Sequence, residues 1–243
     1  MPILSVIVPA YNEADNIDGC IGDVLADVAS VVPDIEIIVV DDGSTDDTAA
    51  RARAHAEGEP RISVVSQPNQ GHGPALVRGM EAARGQWLLL IDCDRQVSLK
   101  AFADHWAMSD RYDVILGIRW PRHDPFHRRV ISLFMRALLG LALGINLRDG
   151  GAPYKLLRRD VWAKSRVAMR PGCWIPSVLI AASALKRGDI AVLQLPIVHR
   201  ARTAGPSTLN LPRLVRFCRE GIADIFHFRR QRSVPVLVPD RND

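Results

Sequence analysis

This sequence of 243 residues lacks the cysteine patterns that mark zinc sites and redox motifs. Its cysteines are scattered and form neither a CxxC motif nor a Cys/His spacing typical of zinc. They are Cys20, Cys93, Cys173 and Cys218. The amino-terminal segment Met1–Leu4 also lacks the basic region and the long apolar core of a signal peptide. We therefore expect free thiols in a reducing compartment, and a cytoplasmic protein.

A long uninterrupted apolar run is missing as well. The most apolar stretch, residues 130–147, is broken by Arg136 and is too short and too interrupted to span a bilayer. It predicts either a core or subunit-contact helix, or a helix that lies in the membrane interface. No transmembrane pair follows, so we expect any membrane contact to be peripheral or through a separate membrane partner. The polar residues 230–243 predict a mobile tail.

The charge of the chain is divided unevenly between its two parts. Residues 1–100 carry 7 Lys and Arg against 16 Asp and Glu, a balance of −9. Residues 101–243 carry 24 Lys and Arg against 11 Asp and Glu, a balance of +13. An acidic part suits a metal site, whereas a basic part suits phosphates, nucleic acid or an anionic membrane surface.

Apolar blocks and helical segments alternate along the first hundred residues. This rhythm predicts an α/β fold with a mostly parallel, doubly wound sheet flanked by helices. The predicted strands of this part are 5–8, 36–40, 62–65 and 87–91, and the predicted helices are 14–29, 45–56 and 74–83. Further along, the predicted strands are 114–117 and 191–195, and the predicted helices are 99–108, 175–186 and 211–228.

The most informative segment is the apolar run Leu88–Ile91, which leads directly into Asp92, Cys93 and Asp94. In a strand, residues i and i+2 point to the same side, so we expect both carboxylates to face one spot. Two anions held together repel each other unless a cation lies between them. The pair therefore predicts a divalent metal site at the carboxyl end of a strand, where open α/β sheets bind ligands.

Three further segments accompany the aspartate pair. Val8–Glu13 ends the first predicted strand, and Val40–Asp46, with the turn residue Gly43, ends the second. A carboxylate there is able to accept hydrogen bonds from a base or a ribose. The third segment, Asn69–Gly73, is a flexible loop before a helix whose amino terminus suits a phosphate.

The four segments, in this order, resemble the family 2 glycosyltransferases, which have the nucleotide-diphosphosugar transferase (GT-A) fold. The resemblance covers residues 3–96 and implies an inverting transfer from a nucleotide sugar. It implies that Asp92 and Asp94 hold Mg²⁺ or Mn²⁺ on the diphosphate, and Gln96 is placed to orient this site. The predicted nucleotide-binding residues are Pro9, Tyr11, Glu13, Asp41, Gly71 and Asp92.

The acceptor is predicted from the absence of a candidate general base. Many relatives that make polysaccharides carry an acidic pair downstream as the general base, and no such pair follows Asp94. A sugar hydroxyl needs a base to become a nucleophile. A phosphate monoester is already largely anionic at neutral pH, because its second pKa is about 6. A polyprenyl monophosphate therefore fits this arginine-rich chain better than a carbohydrate.

Two downstream segments agree with that acceptor. Asp149–Lys155 and Arg202–Ser207 resemble motifs of the dolichyl- and polyprenyl-phosphate mannosyl- and glucosyltransferases, although Pro153 and Thr208 depart from the pattern. The apolar stretch before Asp149 corresponds to a membrane-facing region of these relatives. The candidates for binding the acceptor phosphate are Arg119, Lys155, Arg200 and Arg202, together with Ser207. The predicted catalytic residues are Asp92, Asp94, Gln96, Arg119 and Arg202.

We therefore predict one GT-A catalytic domain over residues 1–229, with a nucleotide-sugar and metal half over 1–97 and an acceptor half over 98–229. The predicted activity is transfer of a hexose from GDP-mannose or a UDP-sugar to a polyprenyl or dolichyl monophosphate, at the inner face of the membrane. Two alternatives stay open: a family 2 enzyme with a soluble hydroxyl acceptor, and a non-catalytic sugar-nucleotide-binding subunit. We predict no nucleic-acid partner.

Overall fold

The computed structural model describes residues 2–121, 126–200 and 211–231. Its strands are β1 (Leu4–Ala10), β2 (Ile35–Asp41), β3 (Ile62–Ser66), β4 (Trp87–Leu90), β5 (Val114–Trp120), β6 (Lys155–Arg158) and β7 (Val192–Val198). Its helices are α1 (Ile17–Asp23), α2 (Thr48–Gly58), α3 (His72–Ala82), α4 (Phe102–Ala107), α5 (Phe126–Leu143), α6 (Arg159–Arg166), α7 (Pro176–Lys186) and α8 (Leu211–Gln231). A π-helical turn, Val24–Val28, continues α1.

The strands form one seven-stranded sheet in the order β3-β2-β1-β4-β6-β5-β7. Strands β1 to β4 run parallel, and β5 runs parallel to β7. Only β6 opposes its neighbours, because it pairs antiparallel with both β4 and β5. The predicted α/β architecture with a mostly parallel sheet is confirmed, although the sequence analysis missed β6 and α6.

The sheet is covered on both faces, which explains its apolar strands. All residues of β1, β2 and β4 are buried. Alternate residues of β1 enter different clusters, since Ile7 packs on the side of α3 and α7 while Val6 and Val8 pack on the side of α1. A strand buried on both faces reads as a continuous apolar run, as these strands do.

The strand order places a ligand crevice at a defined edge. The chain moves outward from β1 through β2 to β3, and then returns to the other side of β1 as β4. Such a reversal opens a crevice beyond the carboxyl ends of the two strands that flank it. Residues 11–13 follow β1 and residues 91–94 follow β4, so both segments lie at this crevice.

Helices α5 and α8 contact each other and expose apolar side chains. On α5, Leu133, Phe134 and Leu141 are 67%, 55% and 88% exposed. The helix spans residues 126–143 and not the predicted 130–147, because Gly144 leaves it in a left-handed conformation (φ +69°). Helix α8 continues to Gln231, beyond the predicted start of the tail at 230, and residues 232–243 lie outside the described residues. Within the described residues, every helix falls short of the length and apolarity that a bilayer crossing requires.

Candidate active site

The loops after β1 and β2 are tied together by hydrogen bonds. Asn12 adopts a left-handed conformation (φ +54°), and its Oδ1 accepts a bond of 2.8 Å from the backbone N–H of Thr45. In return, the Asn12 backbone N–H donates to Ser44 Oγ at 3.0 Å. The next N–H, of Glu13, donates to Thr48 Oγ1 at 2.8 Å. Two motifs far apart in the sequence therefore form one rigid edge of the crevice.

The second aspartate of the β2 loop, Asp42, organises the third motif. Its Oδ1 accepts bonds from Gln67 Nε2 at 2.8 Å and from the Gln70 N–H at 2.9 Å, and its Oδ2 accepts the Gly71 N–H at 2.8 Å. The residue is only 3% exposed. The sequence motif predicted a role for the neighbouring Asp41 but none for Asp42. Its position in the same motif was the available signal.

The amino terminus of α3 packs tightly against the turn before α7. A Cβ added to Gly73 would lie 2.4 Å from the carbonyl oxygen of Trp174, and one added to Gly71 would lie 3.5 Å from the Trp174 indole. Gly71 also has a φ of +101°, which L side chains rarely adopt. Glycines at these positions therefore let the loop approach Trp174 closely.

We expect Gly73→Ala to destabilise the protein by about 1–3 kcal/mol, because the new methyl group meets backbone atoms that have little freedom to move. Urea unfolding measures the loss. Gly58→Ala is the matched control, since nothing lies within 4 Å of a Cβ added at that helical glycine. Equal unfolding midpoints for the two variants would contradict the close packing of α3 on Trp174.

Asp92 and Asp94 lie just beyond β4, as the predicted strand 87–91 implied, although the same-side argument applied strand geometry to residues of the following turn. The strand ends at Leu90, although the Ile91 N–H still donates to the Ile7 carbonyl at 3.2 Å. Cys93 is buried between the two half-buried aspartates, so exposure still alternates along the turn. Both aspartates therefore lie at the carboxyl end of β4, at the predicted crevice.

A histidine that the sequence analysis left without a role contacts this pair. His72 Nε2 lies 2.9 Å from Asp92 Oδ1. Partial burial disfavours the charged imidazolium, but the negative charges of Asp92 and Asp94 outweigh it and raise the pKa of His72. Partial burial likewise disfavours the Asp92 carboxylate, but His72, Lys155 and Arg119 together hold the pKa of Asp92 below its usual value. Asp92 is therefore ionised at neutral pH.

Lys155 lies at the base of a pocket beside Asp92. It is 2% exposed, and its Nζ donates to the carbonyls of Ala152 at 2.6 Å and Gly150 at 3.3 Å. Burial lowers the pKa of Lys155 to about 8, against the opposing effect of Asp149 and Asp92. The pocket has a volume of about 130 Å³. It is lined by His72, Leu76, Leu90, Ile91, Asp92, Gly150, Gly151, Ala152, Pro153, Lys155, Trp174, Ile175, Pro176, Ser177, Val178 and Phe217.

Arg119, a predicted phosphate clamp, forms a buried ion pair in this structure. Its Nε and Nη2 donate to Oδ2 and Oδ1 of Asp149, each at 2.8 Å. The Arg119 side chain is 12% exposed and that of Asp149 is 1% exposed. Such a two-point contact fixes the guanidinium in place. The sequence placed both residues in the acceptor half but did not predict that they pair, and the phosphate role of Arg119 stays a prediction.

Gln96 and Arg200 are brought together, as neighbours on two adjoining segments. The Arg200 N–H donates to the Gln96 carbonyl at 2.7 Å, and Gln96 Nε2 donates to the Arg200 carbonyl at 3.3 Å. The Arg200 guanidinium donates to Ser98 Oγ at 3.2 Å. The segment after Asp94 is thereby joined to the segment that leads into residues 201–210. Arg202 and Ser207 belong to that stretch and lie outside the described residues.

The remaining predicted nucleotide residues lie along the same edge. Pro9 is the second-last residue of β1. Tyr11 and Glu13 follow the strand, and both are half-buried. Glu13 Oε2 accepts a bond of 2.6 Å from Asn16 Nδ2. Asp41 ends β2 and is 5% exposed. The other predicted nucleotide-binding residues therefore lie at the carboxyl ends of β1, β2 and β4, and Gly71 lies beside them.

The aspartate pair suits a hard divalent cation. The described residues contain no ready-made group of three or more His, Cys, Asp and Glu side chains around one point. Mg²⁺ does not need one, because it is commonly held by one or two carboxylates, several waters and the phosphates of a substrate. Asp92, an ionised carboxylate, and Asp94 match this donor set.

A protein-family model described as glycosyl transferase family 2 matches residues 5–165. The chain belongs to glycosyl transferase family 2. The matched region contains all four motifs that carried the resemblance, so that expectation is confirmed.

Two similar proteins have names that specify a lipid phosphate. The chain is 27% identical over 215 residues to the undecaprenyl-phosphate 4-deoxy-4-formamido-L-arabinose transferase of Klebsiella pneumoniae, covering 87% of this chain and 64% of that protein. It is 29% identical over 238 residues to the dodecaprenyl-phosphate galacturonate synthase of Rhizobium johnstonii. This match covers 96% of this chain and 69% of that protein. The chain thus spans about two thirds of the length of these relatives.

Solved structures share the fold. Glucosyl-3-phosphoglycerate synthase of Mycobacterium tuberculosis, crystallised with Mn²⁺, UDP-glucose and phosphoglyceric acid, matches with a TM-score of 0.69 at 24% identity, covering 99% of this chain and 82% of that one. Mannosyl-3-phosphoglycerate synthase of Rubrobacter xylanophilus matches with a TM-score of 0.69 at 18% identity. This match covers 100% of this chain and 79% of that one. The fold is GT-A, as predicted.

Proposed function

We propose that this protein is an inverting, metal-dependent glycosyltransferase that moves a hexose from a nucleotide sugar to a polyprenyl monophosphate. The observation that carries the proposal is the meeting of two sites at one crevice. The nucleotide motifs at the ends of β1, β2 and β4 lead to Asp92, and Asp92 also borders an apolar pocket with Lys155 buried at its base.

On the donor side, Asp41, Glu13, Pro9 and Tyr11 bind the nucleoside, and the loop at Gly71 approaches the diphosphate. Asp92 and Asp94 hold Mg²⁺ or Mn²⁺, which when bound stabilises the negative charge that develops on the departing diphosphate. Gln96 braces the turn that carries the two aspartates, through its hydrogen bonds with Arg200. The donor is a UDP- or GDP-hexose.

On the acceptor side, an oxygen of the phosphate monoester attacks the anomeric carbon of the sugar. The bond from that carbon to the diphosphate breaks, the nucleoside diphosphate leaves, and the configuration inverts. No general base is needed, because the attacking phosphate is already anionic. Asp92 is the only carboxylate among the residues that line the described pocket, and it contacts His72. Arg119, Lys155, Arg200, Arg202 and Ser207 are our candidates for binding the acceptor phosphate.

The names of the two relatives support a lipid phosphate, and a direct assay tests it. We expect labelled lipid when the protein is incubated with a labelled UDP- or GDP-hexose, Mn²⁺ and a short polyprenyl monophosphate. The same incubation without metal should give no product. The absence of labelled lipid with every common donor, together with transfer to a soluble hydroxyl compound, would favour the alternative acceptor.

The exposed apolar face of α5 supports a peripheral contact with the inner face of a membrane. Leu133, Phe134 and Leu141 project from this helix, and residues 101–243 carry a net charge of +13. We expect the protein to float with liposomes that contain anionic lipid, because apolar insertion and charge attraction act together. Replacing Leu133 and Leu141 by Gln should reduce flotation. Replacing Met108, which is 38% exposed on the 3₁₀ turn Met108–Asp110 after α4, is the control.

A further inference from the structure

Trp174 separates the donor side of the pocket from helix α8. The outer edge of its indole faces Gly71, since Cη2 lies 3.5 Å from the position of a Cβ at that glycine. Its backbone N–H donates to the buried carboxylate of Asp224 on α8, at 2.7 Å. The indole therefore forms a wall whose position depends on both the donor loop and α8.

Arg216 of α8 lies over this wall. Its guanidinium carbon is 4.9 Å from the centre of the Trp174 ring. A guanidinium over an aromatic ring is attracted by the ring and keeps N–H donors for other partners. The next residue, Phe217, lines the pocket itself. Arg216 thus lies beside two residues that line the pocket, Trp174 and Phe217.

The charge of Arg216 is not used in an ion pair within the described part of the chain. Arg219, on the same helix, pairs with Glu220 at 3.0 Å, and Arg170 pairs with both Glu220 and Asp224. Among the described residues, the interaction partner of the Arg216 guanidinium is the Trp174 ring. An arginine that stacks on a tryptophan and lacks a carboxylate partner is suited to bind an anion from solution.

Helix α8 is anchored so that Arg216 keeps this position. Asp224 is 1% exposed, and besides the Trp174 N–H it accepts the Ile175 N–H at 3.2 Å and a bond from Arg170. Arg170 also donates to Glu220 at 2.6 Å. These contacts tie two turns of α8 to the segment that forms the pocket wall.

We propose that Arg216 recognises the phosphate of the acceptor at the mouth of the pocket, with Trp174 as the residue that positions it. This inference rests on the proposed function and adds a residue that the sequence motifs did not indicate. The donor diphosphate is a poorer candidate, because the loop at Gly71 that we assign to it faces the outer edge of the indole, whereas Arg216 lies over the ring. A phosphate monoester is the shared chemistry of a polyprenyl monophosphate and of a small soluble phosphate.

The test separates the KM for the acceptor from the KM for the donor. For Arg216→Gln we expect the acceptor KM to rise by about 10- to 100-fold, as for a lost hydrogen bond to a charged group, with the donor KM unchanged. Arg216→Lys should recover part of the loss, because it keeps the charge but not the planar group. Arg219→Gln is the matched control, since this side chain is 75% exposed on the same helix.

Two acceptors distinguish the sources of the phosphate. Polyprenyl monophosphate and 3-phosphoglycerate are compared as acceptors, and the one that the wild-type protein uses should show the Arg216 effect. An unchanged acceptor KM in Arg216→Gln would overturn the inference while leaving the proposed function intact. If the wild-type protein does not glycosylate polyprenyl monophosphate, the proposed function fails, whether or not it uses 3-phosphoglycerate. Calorimetric binding of a short polyprenyl monophosphate then tests Arg216 alone, and equal affinity for wild type and Arg216→Gln would refute its role.

Discussion

Asp92→Asn and Asp94→Asn should each lower kcat/KM by about 10²- to 10³-fold, the scale of losing one group that stabilises charge in the transition state. Asparagine keeps the size of the side chain and, at position 92, an oxygen that still accepts a bond from His72. The carboxylate charge is lost, and with it the attraction for the cation that the site suits. Steady-state transfer in the presence of Mn²⁺ measures this effect.

The same variants separate metal binding from folding. We expect wild type to bind nucleoside diphosphate in calorimetry only when Mn²⁺ is present, and the two variants to bind it weakly with or without the ion. Their unfolding midpoints should stay near that of wild type, because both aspartates are only half-buried. Asp110→Asn, an exposed carboxylate on the 3₁₀ turn after α4, is the control. Full activity and metal-dependent binding in Asp92→Asn would refute the proposed site.

Asp42→Ala should combine a loss of stability with a loss of donor affinity. The change leaves three donors, Gln67 Nε2 and the N–H groups of Gln70 and Gly71, without their shared acceptor. Since hydrogen bonds to charged groups contribute ~1.5–3 kcal/mol and unmet buried donors cost as much, we expect a loss of ~3 kcal/mol in unfolding free energy. The KM for the donor should rise at least about tenfold, because a misplaced loop at Gly71 impairs positioning.

A graded series tests this role of Asp42. Asp42→Asn keeps one oxygen acceptor but replaces the other with a donor, so its effects should lie between those of wild type and Asp42→Ala. Asp47→Asn, an exposed residue of the same loop region, should leave both urea unfolding and donor KM near wild type. A donor KM that stays constant across the series would show that the loop does not contribute to donor binding.

The donor side could be predicted because local patterns carry it. Apolar runs mark β1, β2 and β4, and the polar motifs follow directly where these runs end. Parallel strands bring their carboxyl ends to one edge of a sheet, so residues at the ends of three strands meet without any knowledge of long-range contacts. This is why Asp41, Glu13 and Asp92 were placed at one edge from sequence, and the structure places them there.

The acceptor side could not be predicted in the same way. The strand β6 has only four residues, Lys155–Arg158, and shows no alternation of apolar and polar side chains that would reveal it. The partner of Arg119, Asp149, is 30 positions away along the chain. An arginine and an acid at that distance along the chain give no local signal that they pair.

What the sequence by itself determined is the order of strands and helices as far as β5, the family, and the acidic pair that follows β4. Those properties depend on short-range periodicity and on motifs of a few residues. Only the tertiary structure decided how the charges of the acceptor half are buried and paired: Lys155 is buried where it lines the pocket, Arg119 is paired with Asp149, and Arg216 lies over Trp174. The physical reason is that packing between distant segments determines the partner of a charged side chain. The interaction energy of the pair depends on its burial, which no local pattern specifies.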